Sequence, residues 1–204
     1  MRTLAIETAT EACSIVLFDG SDLVARDHRV LGRGHAERLV PMIADLPAKG
    51  QAERILVSLG PGSFSGVRIG IASARALGFA WGAEVLGYPT LSLVAAMAQA
   101  EQPGQAVTVC MNGGHGEWFV QNFGADGSQD DVRSLAPEAA KAACRHSLIA
   151  GNRATALAEM FASGKQALDL LPDASRVLLL KPDSFITDLA PVYGRGPDAK
   201  LPSA

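Results

Sequence analysis

A loop rich in glycine and serine carries the residue types best suited to binding an anion. It spans Gly60–Gly66, between a predicted strand and a predicted helix that begins at Val67, so its backbone N–H groups could face an anion at the positive end of the helix dipole. Its candidate contacts are Gly62, Ser63, Ser65 and Arg68. It is not a Walker A loop, because Val67-Arg68 stands where Lys-Ser/Thr should follow the last glycine. From chemistry alone we favour the plainer interpretation, a tight turn whose glycines allow close packing.

A second polar loop, Glu7–Glu11, joins the first two predicted strands. An acidic residue that ends a first strand, followed by hydroxyl side chains, is how some ATPases hold Mg²⁺ and phosphates. The candidate contacts here are Glu7, Thr8 and Thr10. The loop contains neither glycine nor lysine, so its backbone would approach a phosphate poorly. We therefore expect a vestigial nucleotide loop at most.

The histidines and cysteines are spaced too widely for a metal centre. The histidines are His28, His35, His115 and His146. No two lie three or four residues apart on a helix, and Leu39 stands where a second ligand after His35 would be needed. Cys13, Cys110 and Cys144 form no C-x-x-C pair, which argues against a disulfide framework or zinc ribbon and for a reducing cytosol. No G-x-S-x-G elbow is present, so we predict no catalytic residue and no metal ion.

A stripe of small residues runs along the second predicted helix. Its members recur at every fourth position: Gly66, Gly70, Ala74, Gly78 and Gly82. An interior glycine costs a helix about 1 kcal/mol relative to alanine, so we expect these residues to let another backbone approach closely. That backbone could belong to this chain's own sheet or helix, or to a helix of a second protein. The sequence leaves both possibilities open.

The first predicted helix contains a proline near its middle. Pro41 removes one hydrogen bond and clashes with the carbonyl of Glu37, four residues before it. It could mark a simple kink near a helix start, or it could shape a docking helix that exposes Val40 and Met42. The sequence favours neither of these interpretations.

A regular series of elements positions these residues within the first 100 positions. Three strands joined by short turns predict an antiparallel meander, after which strands alternate with helices in the order βββαβαβα. The predicted strands are Arg2–Ile6, Ala12–Phe18, Leu23–Val30, Arg54–Leu59 and Glu84–Tyr88. The predicted helices, from apolar residues at helical spacing, are His35–Leu46, Val67–Trp81 and Thr90–Gln99.

The second half of the chain gives weaker signals. The predicted strands there are Ala106–Met111, Glu117–Phe123 and Leu148–Ala150, and the predicted helices are Ala136–Cys144 and Ala154–Ala162. The first two strands form a hairpin around a glycine-rich turn. Arg176–Leu180 could be strand or helix. The tail Pro191–Ala204 is rich in proline and glycine, so we expect it to lie extended over the surface.

Composition excludes several classes of protein. The chain has 204 residues and a mass of 21.2 kDa, enough for one large domain or two lobes of about 100 residues each. Hydrophobic residues make up 48% and charged residues 19%, which is typical of a globular chain and not of a disordered one. The formal net charge is -3, so a broad basic surface for nucleic acid is not expected. The sequence has no apolar run long enough to span a bilayer and no signal-peptide pattern at its start.

Three sequence blocks together resemble one family closely. They are Leu4–Ser14 (LAIETATEACS), His35–Pro41 (HAERLVP) and Gly60–Gly70 (GPGSFSGVRIG). In this order and spacing they look like the signature blocks of the TsaB family, the glycoprotease-like (M22-type) subunits of tRNA threonylcarbamoyladenosine biosynthesis. With the helix after the third block, they cover the first 100 residues. The tail from Pro191 to Lys200 is also similar to the family's C-terminal block.

The resemblance implies an α/β fold of two lobes, of the actin/Hsp70 type (ASKHA, RNase H-like), with mixed sheets. Residues 1–100 would form the N-terminal lobe with its docking helices, and 101–204 a smaller, degenerate C-terminal lobe with an extended tail. It implies a non-catalytic scaffold or activator subunit that pairs with its catalytic paralogue TsaD. With the ATPase TsaE, the complex would add threonylcarbamoyl to N6 of adenosine 37 in tRNA.

The resemblance also implies where partners bind and which cofactors are needed. The family's dimer contact uses its first two helices, His35–Leu46 and Val67–Trp81 here. The implied interface residues are His35, Arg38, Leu39, Val40, Met42, Ile43, Val67, Gly70, Ile71, Ala74, Leu77 and Gly78. The chain would need no cofactor of its own, whereas its partners use ATP and a metal ion. A homodimer could form through the same surface when TsaD is absent.

Two other functions remain open on sequence alone. A stand-alone ASKHA-type phosphotransferase would use ATP, the Glu7–Glu11 turn and the glycine loop. An M22-type metalloprotease would need a metal site, against which the histidine spacing speaks. Glu7 stands where many family members have Asp, and Asn112 begins the predicted hairpin in place of a more usual acid. Both departures make a Mg-ATP site less credible. We expect a cytoplasmic protein.

Overall fold

A computed structural model describes residues 1–194, and the first half of the chain forms a five-stranded mixed sheet. The strands are β1 (Arg2–Glu7), β2 (Ala12–Asp19), β3 (Asp22–Val30), β4 (Arg54–Ser58) and β5 (Glu84–Tyr88). They lie in the order β3-β2-β1-β4-β5, with β1 to β3 antiparallel and β4 and β5 parallel to β1. Strands β1, β2 and β4 are buried along almost their whole length. Burial on both faces explains why their sequences are continuous apolar runs and do not alternate with polar residues.

Helices cover both faces of this sheet. They are α1 (His35–Asp45), α2 (Phe64–Trp81) and α3 (Thr90–Glu101). Helices α1 and α2 contact each other and pack on one face, in a core that includes Leu39, Val67 and Ile71. The opposite face is covered by α3 and by a 3-10 helix over Ala174–Leu179.

The ends of α2 are set by a serine and a glycine. Ser63 caps the helix, because its Oγ accepts a hydrogen bond from Gly66 N at 3.2 Å and satisfies one of the free N–H groups of the first turn. The helix therefore begins at Phe64, three residues before the predicted start at Val67. It ends where Gly82 adopts a left-handed conformation (φ 65°) that glycine tolerates at low cost.

Residues 107–168 build a second sheet of six strands. Its elements are β6 (Val107–Gly114), β7 (Glu117–Gly124), β8 (Gly127–Ser128), β9 (Arg133–Leu135), α4 (Pro137–Ala143), β10 (Leu148–Ala150), α5 (Ala154–Ala158) and β11 (Gln166–Leu168). The strand order is β11-β10-β6-β7-β8, and β9 pairs with β7. Helix α3 lies between the two sheets: Leu91 and Val94 pack toward the second sheet, and Leu93 and Met97 toward the first.

The predicted order βββαβαβα of the first half is confirmed. Strands β8, β9 and β11 are absent from the prediction, because two or three residues are too few to show a periodicity. The undecided segment around Arg176 is the 3-10 helix, and the helix predicted to reach Ala162 already ends at Ala158. The predicted extended tail is described only from Pro191 to Gly194, so Arg195–Ala204 lie outside the described residues.

Candidate functional site

A cleft with a volume of about 360 Å³ opens between the two sheets. The β1–β2 turn and the glycine loop line it from the first sheet, the β6–β7 hairpin and Asn152 line it from the second, and the described end of the chain forms a further wall. The side chains at its apolar part are Ala9, Val67, Phe119 and Val192. Its polar lining comes from Thr10, Glu11, Ser63, Asn112, His115 and Asn152. Both loops that the sequence offers for anion binding therefore meet at this cleft.

Several N–H groups of the glycine loop donate to acceptors within the chain itself. Ser63 N donates to the carbonyl of Ala9 at 2.7 Å, and Val67 N donates to the carbonyl of Ser63 at 3.0 Å. A side chain at Gly62 would overlap the backbone of Ala9, and one at Gly66 would overlap the carbonyl oxygen of Thr8. The glycines let the loop pack directly on the β1–β2 turn. This geometry supports the tight-turn interpretation over an anion cradle.

Glu7, the acidic residue at the start of the β1–β2 turn, points into the core. Glu7 is fully buried; its carboxylate accepts hydrogen bonds from Ala9 N at 2.7 Å and from the Tyr88 hydroxyl at 3.4 Å. Burial raises the pKa of Glu7 to about 7, and the hydrogen bonds from its neighbours only partly oppose this shift. Thr8 Oγ1 is also buried and donates to the carbonyl of Gly66 at 2.8 Å. These two candidate contacts are therefore engaged within the protein, whereas Thr10 lines the cleft.

Glu7 gives a testable pH dependence of stability. Its pKa is about 7 when folded and near the ordinary value of 4.5 when unfolded, so the folded state holds a proton that the unfolded state releases between these pH values. The free energy of unfolding therefore falls as pH rises from 4.5 to 7, by about 3 kcal/mol in total. Because glutamine does not titrate, we expect Glu7→Gln to remove this fall in the free energy of unfolding.

Urea unfolding of both proteins between pH 4 and pH 8 checks this prediction. The difference in free energy of unfolding between Glu7→Gln and the unmodified chain should grow in favour of glutamine as pH rises, and then level off above pH 7. Subtracting the two curves removes the titration of all other groups. Parallel curves across this range would show that Glu7 does not carry the dependence.

A polar bridge joins the two sheets across the cleft. Asn152 Nδ2 donates to both carboxylate oxygens of Glu11, at 3.0 and 3.1 Å. Asn152 Oδ1 accepts a hydrogen bond from Asn112 N at 2.8 Å. The sequence analysis did not identify this bridge, because its residues lie far apart along the chain and form no motif.

The stripe of glycine and alanine on α2 packs against this chain's own first sheet. Gly66, Gly70, Ala74 and Gly78 are buried, and a side chain at Gly70 would overlap Thr8, while one at Gly78 would overlap Val85. The close backbone approach that the sequence predicts therefore occurs within the chain. The second possibility, a partner helix on this stripe, is not needed to explain it.

Most of the predicted interface residues must be reassigned to the core. The buried members are His35, Leu39, Met42, Ile43, Val67, Gly70, Ile71, Ala74 and Gly78. Their side chains or backbone face the sheet because α1 and α2 place their apolar stripes inward, so they are not part of the surface of this chain. Leu77 is partly buried in the same core. Arg38 and Val40 are exposed, whereas Met42, which a docking helix would expose together with Val40, is buried.

The outward faces of the same two helices each carry small side chains at helical spacing. On α1, Ala36, Val40 and Ala44 are exposed at every fourth position. On α2 the exposed residues at this spacing are Ala72, Ala76 and Ala80. We call these six residues the two-helix face. Next to it Phe79 is 93% exposed, which is unusual for a large aromatic side chain. The sequence analysis missed this series, although alanine recurs at every fourth position, two residues out of step with the glycine stripe.

The structure adds no further catalytic or metal-binding constellation in the part it describes. Among residues 1–194 no three side chains of the metal-ligating types come together. His35 is buried and its Nε2 lies 3.1 Å from the carbonyl of Ala12, which makes it a structural residue. The three cysteines are free, and burial raises the pKa of Cys13 to about 11 and that of Cys110 to about 12. In the same range no helix is both long enough and apolar enough to cross a membrane.

The fold and the site define a two-sheet α/β protein with a cleft between its sheets and an exposed pair of helices on the first. Comparison with known proteins agrees with this class. Two structures from Pseudomonas aeruginosa, one described as YeaZ and one as similar to peptidase YeaZ, superpose with TM-scores of 0.78 and 0.79. They are 27% and 28% identical to this chain, covering 94% and 95% of it and 99% of their own lengths.

Sequence comparisons give the family. A model for TsaD, tRNA N6-adenosine threonylcarbamoyltransferase, matches residues 29–176. The tRNA threonylcarbamoyladenosine biosynthesis protein TsaB of Escherichia coli K12 is 37% identical over 133 residues, which is 62% of this chain and 56% of that protein. The protein of the same name from Haemophilus influenzae is 37% identical over 105 residues, 49% of this chain and 43% of that protein. The chain thus spans about half the length of these curated relatives.

The chain belongs to the TsaD family of threonylcarbamoyltransferase-type proteins, and the predicted resemblance to TsaB is confirmed. The predicted fold class, an α/β fold with mixed sheets, is confirmed as well.

Proposed function

We propose that this chain is a non-catalytic subunit of the complex that makes N6-threonylcarbamoyladenosine at position 37 of tRNA. It pairs with a TsaD-like paralogue that carries out the transfer, and works with a TsaE-like ATPase. The observation that carries this proposal is the sequence similarity to two proteins named for this biosynthesis. The chain reaches tRNA through the complex and acts in the cytoplasm.

The site supports a role without catalysis. The carboxylate that ends β1 is buried against Tyr88. In the glycine loop, Ser63 N donates to the β1–β2 turn and Gly66 N donates to Ser63 Oγ. A Mg²⁺ ion would therefore find no carboxylate without a protein partner in the β1–β2 turn, because Glu7 is buried and both oxygens of Glu11 accept from Asn152. On this proposal ATP and the metal ion belong to the partner proteins, and this chain needs no cofactor of its own.

The two-helix face is the surface we propose for docking. Its alanines are small enough for a partner helix to approach closely, and Val40 and Phe79 add exposed apolar area beside them. Arg38 on α1 and Arg68 and Arg75 on α2 are exposed around this apolar surface. A partner helix pair with an apolar centre would cover it. The TsaD-like paralogue is the proposed occupant, and a second copy of this chain would occupy the face when the paralogue is absent.

Size-exclusion chromatography with the TsaD-like paralogue tests the pairing. At micromolar concentration the two chains should elute together as a heterodimer, and the homodimer of this chain should disappear as the paralogue is added. Separate elution of the two proteins, with or without the TsaE-like ATPase and ATP, would contradict the proposal.

A stand-alone phosphotransferase is the alternative function, because the cleft between the sheets could hold a nucleotide. Calorimetry with Mg-ATP separates the two functions: the proposed subunit should give no heat of binding. Binding that is lost in Glu7→Ala would favour the enzyme. A metalloprotease would require bound metal, so a metal assay on the purified chain tests that function separately.

A further inference from the structure

The last described residues form a strap that connects the two sheets. Residues 185–194, here called the strap, begin at the free edge of β5, where Ile186 pairs with Gly87 through two hydrogen bonds of 2.8 and 3.0 Å. Farther along, Val192 N donates to the carbonyl of Leu59 at 2.7 Å. The strap then reaches the second sheet, where Ser134 N donates to the carbonyl of Gly194 at 2.9 Å. One short segment is thus bonded to both sheets.

The first part of the strap is anchored in the core. Leu189 is buried among the residues that α1 and α2 pack against the first sheet. Its carbonyl accepts a hydrogen bond from Arg75 of α2 at 3.4 Å. Together with the pairing of Ile186 and Gly87, this burial holds the strap as far as Leu189, whether or not residues 192–194 stay in place.

In the second part, Val192 packs against the edge of the same core, whereas Tyr193 is held at the surface by an exposed stack of side chains. Arg68 Nη2 donates to the Tyr193 hydroxyl at 2.8 Å, and the guanidinium lies 3.5 Å above the centre of the Phe64 ring. The rings of Phe64 and Tyr193 are 6.2 Å apart, and Tyr193 is 53% exposed. Contacts of this type in water are individually weak. The end of the strap is therefore held less firmly than its beginning.

The weakly held end is also a wall of the cleft. Val192, Tyr193 and Gly194 line the cleft opposite the β6–β7 hairpin. Gly194 lies so close to Phe119 that a side chain at this position would overlap the ring. If residues 192–194 lift away, the cleft gains an opening on this side while Ile186 and Leu189 stay in place.

We propose that Arg68 and Tyr193 form a latch that sets whether the cleft is closed on its strap side. When Tyr193 is bound to Arg68 and Phe64, residues 192–194 close the cleft and tie the second sheet to the first. When Tyr193 is released, this end of the strap opens and the anchored part remains. Phe64 and Arg68 belong to α2, which also carries half of the two-helix face. Docking on that face would therefore change whether Tyr193 stays bound to Arg68. This consequence rests on the proposed function, whereas the latch itself does not.

Amide hydrogen exchange on the isolated chain, followed by NMR, tests the latch without any partner. Tyr193→Phe keeps the ring and removes the hydroxyl that Arg68 binds. We expect the amides of Val192 and Ser134 to exchange roughly 3- to 10-fold faster. The amides of Gly87 and Ile186, which hold the anchored part, should keep their rates. Arg68→Gln should give the same pattern, and Arg38→Gln, an exposed arginine on α1, should change none of these four amides.

Two outcomes would overturn the proposal. Unchanged exchange at Val192 and Ser134 in both Tyr193→Phe and Arg68→Gln would show that the stack does not hold the strap. Equal acceleration at all four amides would show that the strap opens as one unit or that the whole chain is loosened. Because no partner is present, neither outcome depends on whether the chain pairs with a TsaD-like protein.

Discussion

Ala76→Glu is expected to weaken binding to the TsaD-like paralogue by about 100-fold or more, because it buries an unpaired carboxylate in the proposed interface. Ala76 lies in the middle of the two-helix face, with Ala72 and Ala80 one turn away on either side. Its side chain is exposed in the free chain, so the longer glutamate has room and the fold should be unaffected. Binding is measured by titration calorimetry, and folding by thermal unfolding.

Ala100→Glu is the matched control for this experiment. Ala100 is also an exposed alanine within a helix, but it lies on α3, which packs between the sheets and not on the face that carries α1 and α2. It should bind the paralogue as the unmodified chain does. If Ala76→Glu folds normally and still binds with unchanged affinity, the two-helix face is not the docking surface.

Gly66→Ala is expected to destabilise the chain by about 3 kcal/mol, even though alanine is the better helix former. Helix propensity alone would favour the variant by at most about 1 kcal/mol. The added methyl group would overlap the carbonyl oxygen of Thr8, which is held in place because Thr8 Oγ1 donates to Gly66 O. The obstacle is backbone in a tight turn and cannot rotate away, so the steric effect should exceed the propensity gain.

Thermal and urea unfolding measure this loss of stability. A change of this size should lower Tm by roughly 6–12 °C in a chain of this length. Gly124→Ala is the comparison, because its methyl group would meet only the flexible end of the Gln129 side chain, which can move. Equal stability of Gly66→Ala and the unmodified chain would mean that the glycine loop does not pack on the β1–β2 turn as described.

The strands and helices around the first sheet could be predicted because the local sequence specifies each of them. Apolar runs such as Arg54–Ser58 and turn residues such as those at Asp19–Asp22 specify strands and their connections, and apolar spacing specifies α1 and α2. The short strands of the second sheet could not be predicted in this way. They form because β8 and β9 pair with β7, and β11 pairs with β10, and these pairings exist only in the folded chain.

The candidate site was only partly predictable, because periodicity shows that a helix has a special face but not what covers it. The stripe containing Gly70 and Gly78 correctly indicates a close backbone approach, and only the structure shows that the sheet of the same chain makes it. The opposite series around Ala76 is exposed, whereas most of the residues predicted for the interface are buried. Contacts such as Glu11 with Asn152 and Arg68 with Tyr193 join residues more than 100 positions apart and leave no local signal.

The most direct test of the central claim is reconstitution of threonylcarbamoyl transfer to tRNA from purified components, with this chain present or left out. The TsaD-like paralogue and the TsaE-like ATPase should modify tRNA efficiently only when this chain is added, and the chain alone should show no turnover. Ala76→Glu should fail to restore activity, whereas Ala100→Glu should restore it fully. Turnover by this chain in isolation, or full modification in its absence, would contradict the account.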